Sequence, residues 1–271
     1  CRYHTAPNGV KPAGYFHGPD CCTASGHRII SLLPTFFYAE RGREFYINQY
    51  VGSNYNGSNF KFDIEGNYPA DGNISIRFSQ GCEKELCLRI PSWCKSPSAK
   101  LNGKSIDGVK PGSYLKINRK WANGDVVELS FPMEERWIMR EHHADYEKYY
   151  LKDGEIMYRE KPTQNIPCAF LRGPVVYCVD MVWNPQLHND DCDVLKDIRF
   201  DTSSLPVAIG KVDPTMMAGC FKAKGTYKGN PVDLVLTPFA NIGQWWRNGE
   251  AKPQPWADAF SYGIWTYPVK K

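Results

Sequence analysis

The sequence predicts a mainly β protein, with two β-sandwich regions following one short helix near the start of the chain. Three observations carry that prediction. From Glu44 onward apolar and polar residues alternate at a period of two, as with Phe60, Phe62 and Ile64 against Lys61, Asp63 and Glu65. Turn signals such as Asn56-Gly57, Asn102-Gly103 and Asp153-Gly154 separate these short runs. The helically spaced run Ile29, Ile30, Leu32, Leu33, Phe36 and Phe37 is over before the alternation begins.

In chain order, residues 1–22 read as loop, punctuated by Pro7, Gly9, Pro12, Gly14, Gly18 and Pro19. A helix follows. Thr23 or Ser25 is positioned to cap it, Pro34 should bend or shorten it, and it should end near Glu40 with Gly42 as its cap. Phe45 and Ile47 begin the strands. Ile74, Ile76 and Phe78 form one inward face, and Leu86, Leu88 and Ile90 another, with Cys87 and Arg89 on the opposite side. Val127, Leu129 and Phe131 close this first sandwich, 43–140. The charged stretch 136–165 is the seam, with a boundary near Glu141, and 141–271 is the second sandwich. Its strands are read at 174–179, at 221–227 and 232–236 as a hairpin about Gly229-Asn230, and at 264–269. Residues 185–212 lack strand patterning.

The bulk numbers exclude several classes. A net charge of +4 over 271 residues, with no basic stripe, argues against nucleic acid, and no apolar run is long enough for a membrane span. Ten cysteines are too few for a disulfide scaffold at this length. Cys87, Cys168 and Cys178 sit inside apolar runs and read as buried thiols. The protein is therefore mainly reduced, or its key thiols are held by metal. The compartment is left unknown, with bacterial cytoplasm or periplasm as the first expectation.

The chemistry-bearing stretch is His17-Gly18-Pro19-Asp20-Cys21-Cys22, running on to Arg28. Two sulfurs at the start of a helix, near an arginine, are biased toward thiolate. A thiolate is a nucleophile and also a soft metal ligand. The bland readings are two buried small hydrophobes or a strained vicinal disulfide. His17 and His27 are read as hydrogen-bonding groups at the helix start, with a local zinc site of His17, Cys21, Cys22 and His27 as the rival, disfavoured by its crowding along one loop. Elsewhere, Asn189, Asp190, Asp191 and Asp193 read as a solvated turn rather than a calcium loop. Trp245 and Trp246 read as packed beneath a proline-rich loop, with stacking on sugar rings as the rival.

These residues also carry a resemblance. His17 to Cys22, with Arg28 and the helix behind it, resembles the metal-cysteine segment of glycoside hydrolase family 127, which includes β-L-arabinofuranosidases. Further segments follow in the family's order: Arg89-Ile90-Pro91-Ser92-Trp93, Leu101-Asn102-Gly103, Trp121 to Asp125, Leu129 to Met133, Arg172-Gly173-Pro174-Val175-Val176-Tyr177 and Leu236-Thr237-Pro238-Phe239. The resemblance implies an (α/α)6 barrel followed by two β-sandwiches, with residues 1–42 as the last loop and helix of that catalytic barrel. It implies Cys21 as nucleophile and zinc ligand, Cys22 as a second zinc ligand, and a plant-type oligosaccharide or furanoside as substrate. The acid/base glutamate and the remaining ligands would come from an upstream barrel segment. No glutamate precedes Cys21 here, so the chain alone is expected to be inactive. Thr23-Ala24-Ser25-Gly26 stands where the best-known members carry Pro-Pro-Asn or a similar turn, which leaves the sugar open. The alternative is a non-catalytic β-sandwich module that binds carbohydrate or is structural.

Overall fold

The computed structural model describes residues 8–12, 21–139, 144–150, 156–162, 167–180, 183–187, 197–241, 259–263 and 267–268, with side chains over 28–139, 167–180, 183–187 and 197–241. The chain is mainly β, as its alternation predicts, and it divides into two units. The first holds residues 16–134 and 172–175. The second holds 5–15, 135–171 and 176–271. Among the described residues no helix is long and apolar enough to cross a membrane.

The opening segment departs from its sequence reading. Asn8–Pro12 is a strand, β1, paired antiparallel with the late strand Ala259–Gly263, so the stretch is not all loop. Its partner lies some 250 residues away in sequence, so no local pattern marks it. Helix α1 spans Cys21–Phe37. Thr23 and Ser25 therefore lie inside its first turns rather than at its cap. The helix runs three residues past Pro34 but stops short of Glu40, because Tyr38 is drawn into the core of the first unit. Its ring packs on Tyr55 at 5.3 Å and Phe62 at 5.6 Å, and its hydroxyl meets Ser53 Oγ at 2.6 Å. Gly42 consequently caps no helix. With a φ of 61° it turns the hairpin between β2 (Tyr38–Arg41) and β3 (Glu44–Ile47).

The rest of the first unit is a sandwich. Its strands are β4 (Ser53–Asn56), β5 (Lys61–Gly66), β6 (Asn73–Gln80), β7 (Glu83–Arg89), β8 (Ser98–Leu101), β9 (Lys104–Ser105), β10 (Tyr114–Lys120) and β11 (Val126–Ser130). One sheet has the order β10-β7-β3-β2, with β3 and β7 parallel. The other runs β4-β5-β6-β11-β8-β9. Phe45, Ile47, Leu86, Leu88 and Leu115 from the first sheet share one buried cluster with Phe62, Ile76, Phe78, Val127 and Leu129 from the second. This is the inward set that the period-two pattern selects.

The second unit holds β12 (Glu135–Met139), β13 (Ala144–Tyr150), β14 (Ile156–Pro162), β15 (Cys168–Arg172), β16 (Val175–Asp180), β17 (Ile198–Phe200), β18 (Val207–Gly210), β19 (Cys220–Tyr227), β20 (Asn230–Pro238), β21 (Ala259–Gly263) and β22 (Tyr267–Pro268). β13 and β14 pair as a separate hairpin. The others form one sheet that branches at β16 and β19. Its two legs, β12-β15-β16 and β17-β19, face each other through aromatic rings, with Phe221 at 5.0 Å from both Phe170 and Tyr177. The β19–β20 hairpin turns on Lys228 and Gly229, with φ values of 49° and 81°, one residue earlier than the sequence suggests. β17 and β18 arise inside 185–212, where no strand pattern was read. At three and four residues they are too short to show a period.

Candidate functional site

Cys21 and Cys22 are the first two residues of α1. Backbone N–H groups of a first helical turn lack intrahelical partners, and the dipole there is positive. The side chains of residues 21–27 lie outside the described residues, as do His17 and Asp20, the acidic group at 189–193, and Trp245 and Trp246. The later half of the helix is described, and it is solvent-facing. Ile29, Ile30, Leu32, Leu33 and Phe36 are 41% to 60% exposed. Five large apolar side chains in eight positions form a surface of the kind that is ordinarily covered.

A second group was not singled out from the sequence. On the outer face of the four-stranded sheet, ligand atoms of Glu44, Glu85 and Cys87 lie within 4.8 Å of one another, close enough to hold a metal ion. The sequence places Cys87 on that face. It does not say that β3 lies parallel beside β7, which brings Glu44 opposite Glu85 and Tyr46 opposite Cys87. The group already holds a cation. Lys116 Nζ sits 2.8 Å from Glu44 and 3.2 Å from Glu85. Arg41 and the Tyr46 hydroxyl also donate to Glu44 Oε2, at 2.6 and 2.9 Å. Burial pushes the Cys87 thiol up, away from the thiolate that a metal wants. A divalent ion would have to displace an ammonium that holds two carboxylates, so this cluster reads as an ion-pair network.

That network makes a pH prediction. Hydrogen bonds from Lys116, then Arg41, then Tyr46, hold the Glu44 carboxyl down at about 2, against an ordinary value of 4.5. The folded state binds this proton more weakly than the unfolded chain. The stabilisation is therefore full above about pH 4.5 and is lost as pH falls through about 2. A carboxyl-carbon NMR titration should place the Glu44 midpoint near 2, and Lys116→Met should move it upward. A wild-type midpoint at the ordinary value would remove Lys116 from the role given to it.

The motif segments that carry the resemblance are mostly structural. Asn102 and Gly103, with φ values of 50° and 78°, turn the β8–β9 hairpin. Asn102 then reaches sideways: its amide donates to Asp125 Oδ1 at 2.7 Å and its carbonyl oxygen accepts Val126 N–H at 2.8 Å. The Arg172-Gly173 turn groups with the first unit. Arg172 donates to the Ala70 carbonyl at 2.6 Å, and a Cβ on Gly173 would lie 2.6 Å from Met133 Sδ and 3.4 Å from the Trp93 ring. These contacts give the motif residues turn-forming and packing roles.

Residues 44–133 match the family model described as β-L-arabinofuranosidase, GH127 middle domain. A curated relative, the non-reducing end β-L-arabinofuranosidase of Bifidobacterium longum subsp. longum, is 26% identical over 274 residues, covering 92% of this chain and 38% of the relative. The crystal structure of a GH127 β-L-arabinofuranosidase from Geobacillus stearothermophilus T6 matches at a TM-score of 0.57 and 22% identity, over 92% of this chain and 37% of that one. A second GH127 β-arabinofuranosidase structure matches at 0.60 and 21%, over 93% and 39%. The chain thus spans about two fifths of the length of these relatives. The structural matches bear on its fold.

Proposed function

We propose, from its resemblance to the C-terminal part of glycoside hydrolase family 127, that this chain is part of a retaining glycosidase acting on furanosides such as β-L-arabinofuranosides. The observation that carries the reading is the Cys21-Cys22 pair at the first turn of α1, in a chain that otherwise follows the family's motif order. The donor set fits zinc: two adjacent soft sulfurs, both favoured as thiolates by the helix end. Cys21 and Cys22 would hold the metal, which when bound keeps its thiols ionised. The Cys21 sulfur attacks the anomeric carbon, and the C–O electron pair leaves with the aglycone oxygen, which takes a proton from a general acid. Water then attacks the same carbon, the C–S pair returns to sulfur, and the water's proton goes to the conjugate base. Two displacements retain configuration, as with paired carboxylates.

The exposed apolar face of α1, and a length about two fifths of the relatives, support a partner: an upstream helical segment that covers Ile29, Ile30, Leu33 and Phe36 and brings the acid. The 271-residue chain by itself is expected to turn over no arabinofuranoside. Metal content of the purified chain, with and without Cys21→Ser and Cys22→Ser, tests the site. One zinc per chain, lost in the double variant, is the expected result. No zinc in either protein overturns the reading and leaves a non-catalytic β-sandwich module.

A further inference from the structure

We infer that the second unit carries a binding pocket for a single saccharide unit, built where its sheet opens beside β19. β20 occupies one edge of β19 along its length, so β17 and β18 both lie on the other edge. β17 ends with Phe200 opposite Gly225, and β18 begins with Val207 opposite Lys222. Asp201 N–H still donates to the Lys224 carbonyl at 2.9 Å, and beyond it the chain 202–206 loops out, so neither strand flanks Ala223. A cavity of about 250 Å³ occupies this gap. That is below the roughly 300–1,000 Å³ of sites for drug-sized ligands, which suits one sugar ring.

The lining sets apolar Leu205, Pro206 and Val207 beside polar groups that suit a neutral polyhydroxylated ligand. Trp137 supplies an indole wall that is held before anything binds. Its ring packs on Phe200 at 5.0 Å and Phe170 at 5.3 Å, and its Nε1–H donates to the Ser204 carbonyl at 2.9 Å. A fixed aromatic surface costs little entropy on binding and stacks on the C–H face of a sugar. The charges at the gap balance, with carboxylates of Asp201 and Asp233 against ammoniums of Lys222 and Lys224. That favours neither an anion nor a cation, and it offers acceptors and donors together for hydroxyl groups. Lys222 and Asp233 stand 4.0 Å apart and are 50% and 58% exposed, a weak pair that can turn toward a ligand. Asp201 is aimed by its own turn, accepting from Ser203 N–H at 3.0 Å and Ser203 Oγ at 2.5 Å.

The choice of sugar rests on the proposed function; the pocket does not. The test is an NMR titration of the full 271-residue protein with methyl β-L-arabinofuranoside, following the Trp137 indole N–H resonance. A saturating shift with a dissociation constant on the order of millimolar is expected, weakened at least about tenfold by the exposed double variant Lys224→Ala, Asp233→Ala. An unmoved indole, or an equal shift in the double variant, overturns the pocket. The Cys21→Ser, Cys22→Ser protein should bind as wild type does. Binding without zinc would sink the catalytic reading and keep the pocket, and zinc without binding would do the reverse.

Discussion

Replacing Trp121 by alanine is expected to remove about 4 kcal/mol of unfolding free energy, the range for deleting a fully buried indole. Trp121 is 1% exposed and stacks on Phe78 at 4.4 Å with 25° between the rings. Its Nε1–H donates to the Lys84 carbonyl at 3.2 Å, and its backbone N–H donates to the Cys82 carbonyl at 3.0 Å. The Arg119 guanidinium lies 5.3 Å from the ring on its way to Asp125. The backbone here is tightly placed as well, since a Cβ on Gly81 would collide with Trp121 backbone atoms. Chemical denaturation of wild type, Trp121→Ala and Trp121→Phe checks this. Phenylalanine should recover part of the loss, because it keeps the stacking and forfeits the hydrogen bond. A loss under about 1 kcal/mol for alanine would mean that the ring is not the centre of this core.

The second large effect is at Asp125, where alanine is expected to cost about 3 kcal/mol. The side chain is 8% exposed and accepts from Asn102 Nδ2 at 2.7 Å, Ala122 N–H at 2.8 Å and Arg119 at 3.1 Å. Removing it breaks three hydrogen bonds to one carboxylate at once. Asn102 and Ala122 are exposed and Arg119 is 32% exposed, so the freed donors turn to water and the cost is the summed net strength of bonds to a charged acceptor. Asn102→Ala breaks the same clip from the other side. A double-mutant cycle should therefore show coupling, with the two losses adding to clearly more than the pair removed together. Strict additivity would mean that the Asn102–Asp125 contact does not join the two turns energetically.

The same two turns show how much was legible in the sequence. Asn102-Gly103 and Trp121 to Asp125 are both local turn signals, and both turns are where the pattern put them. Their side-chain clip was not legible, because it joins residues 23 apart across two strands. Helix α1 was legible in its spacing and missed at its end, where the tertiary contacts of Tyr38 overrode local preference. For the candidate site, residue types were enough to single out Cys21 and Cys22. The Glu44, Glu85, Cys87 and Lys116 cluster was not foreseen, since three strands from distant parts of the chain build it.

The sequence by itself determined the mainly β class, the inward set of each long strand, the Asn102-Gly103 turn and the paired cysteines. All of these follow from periodicity or from the chemistry of neighbours along the chain. Only the tertiary structure decided that β3 runs parallel to β7, that β1 pairs a strand near the other end, and that β17 and β18 leave a gap beside β19. The physical reason is common to these. A strand's alternation says which side chains face inward, but pairing is a choice among edges, made by long-range burial and backbone hydrogen bonding that no single stretch encodes.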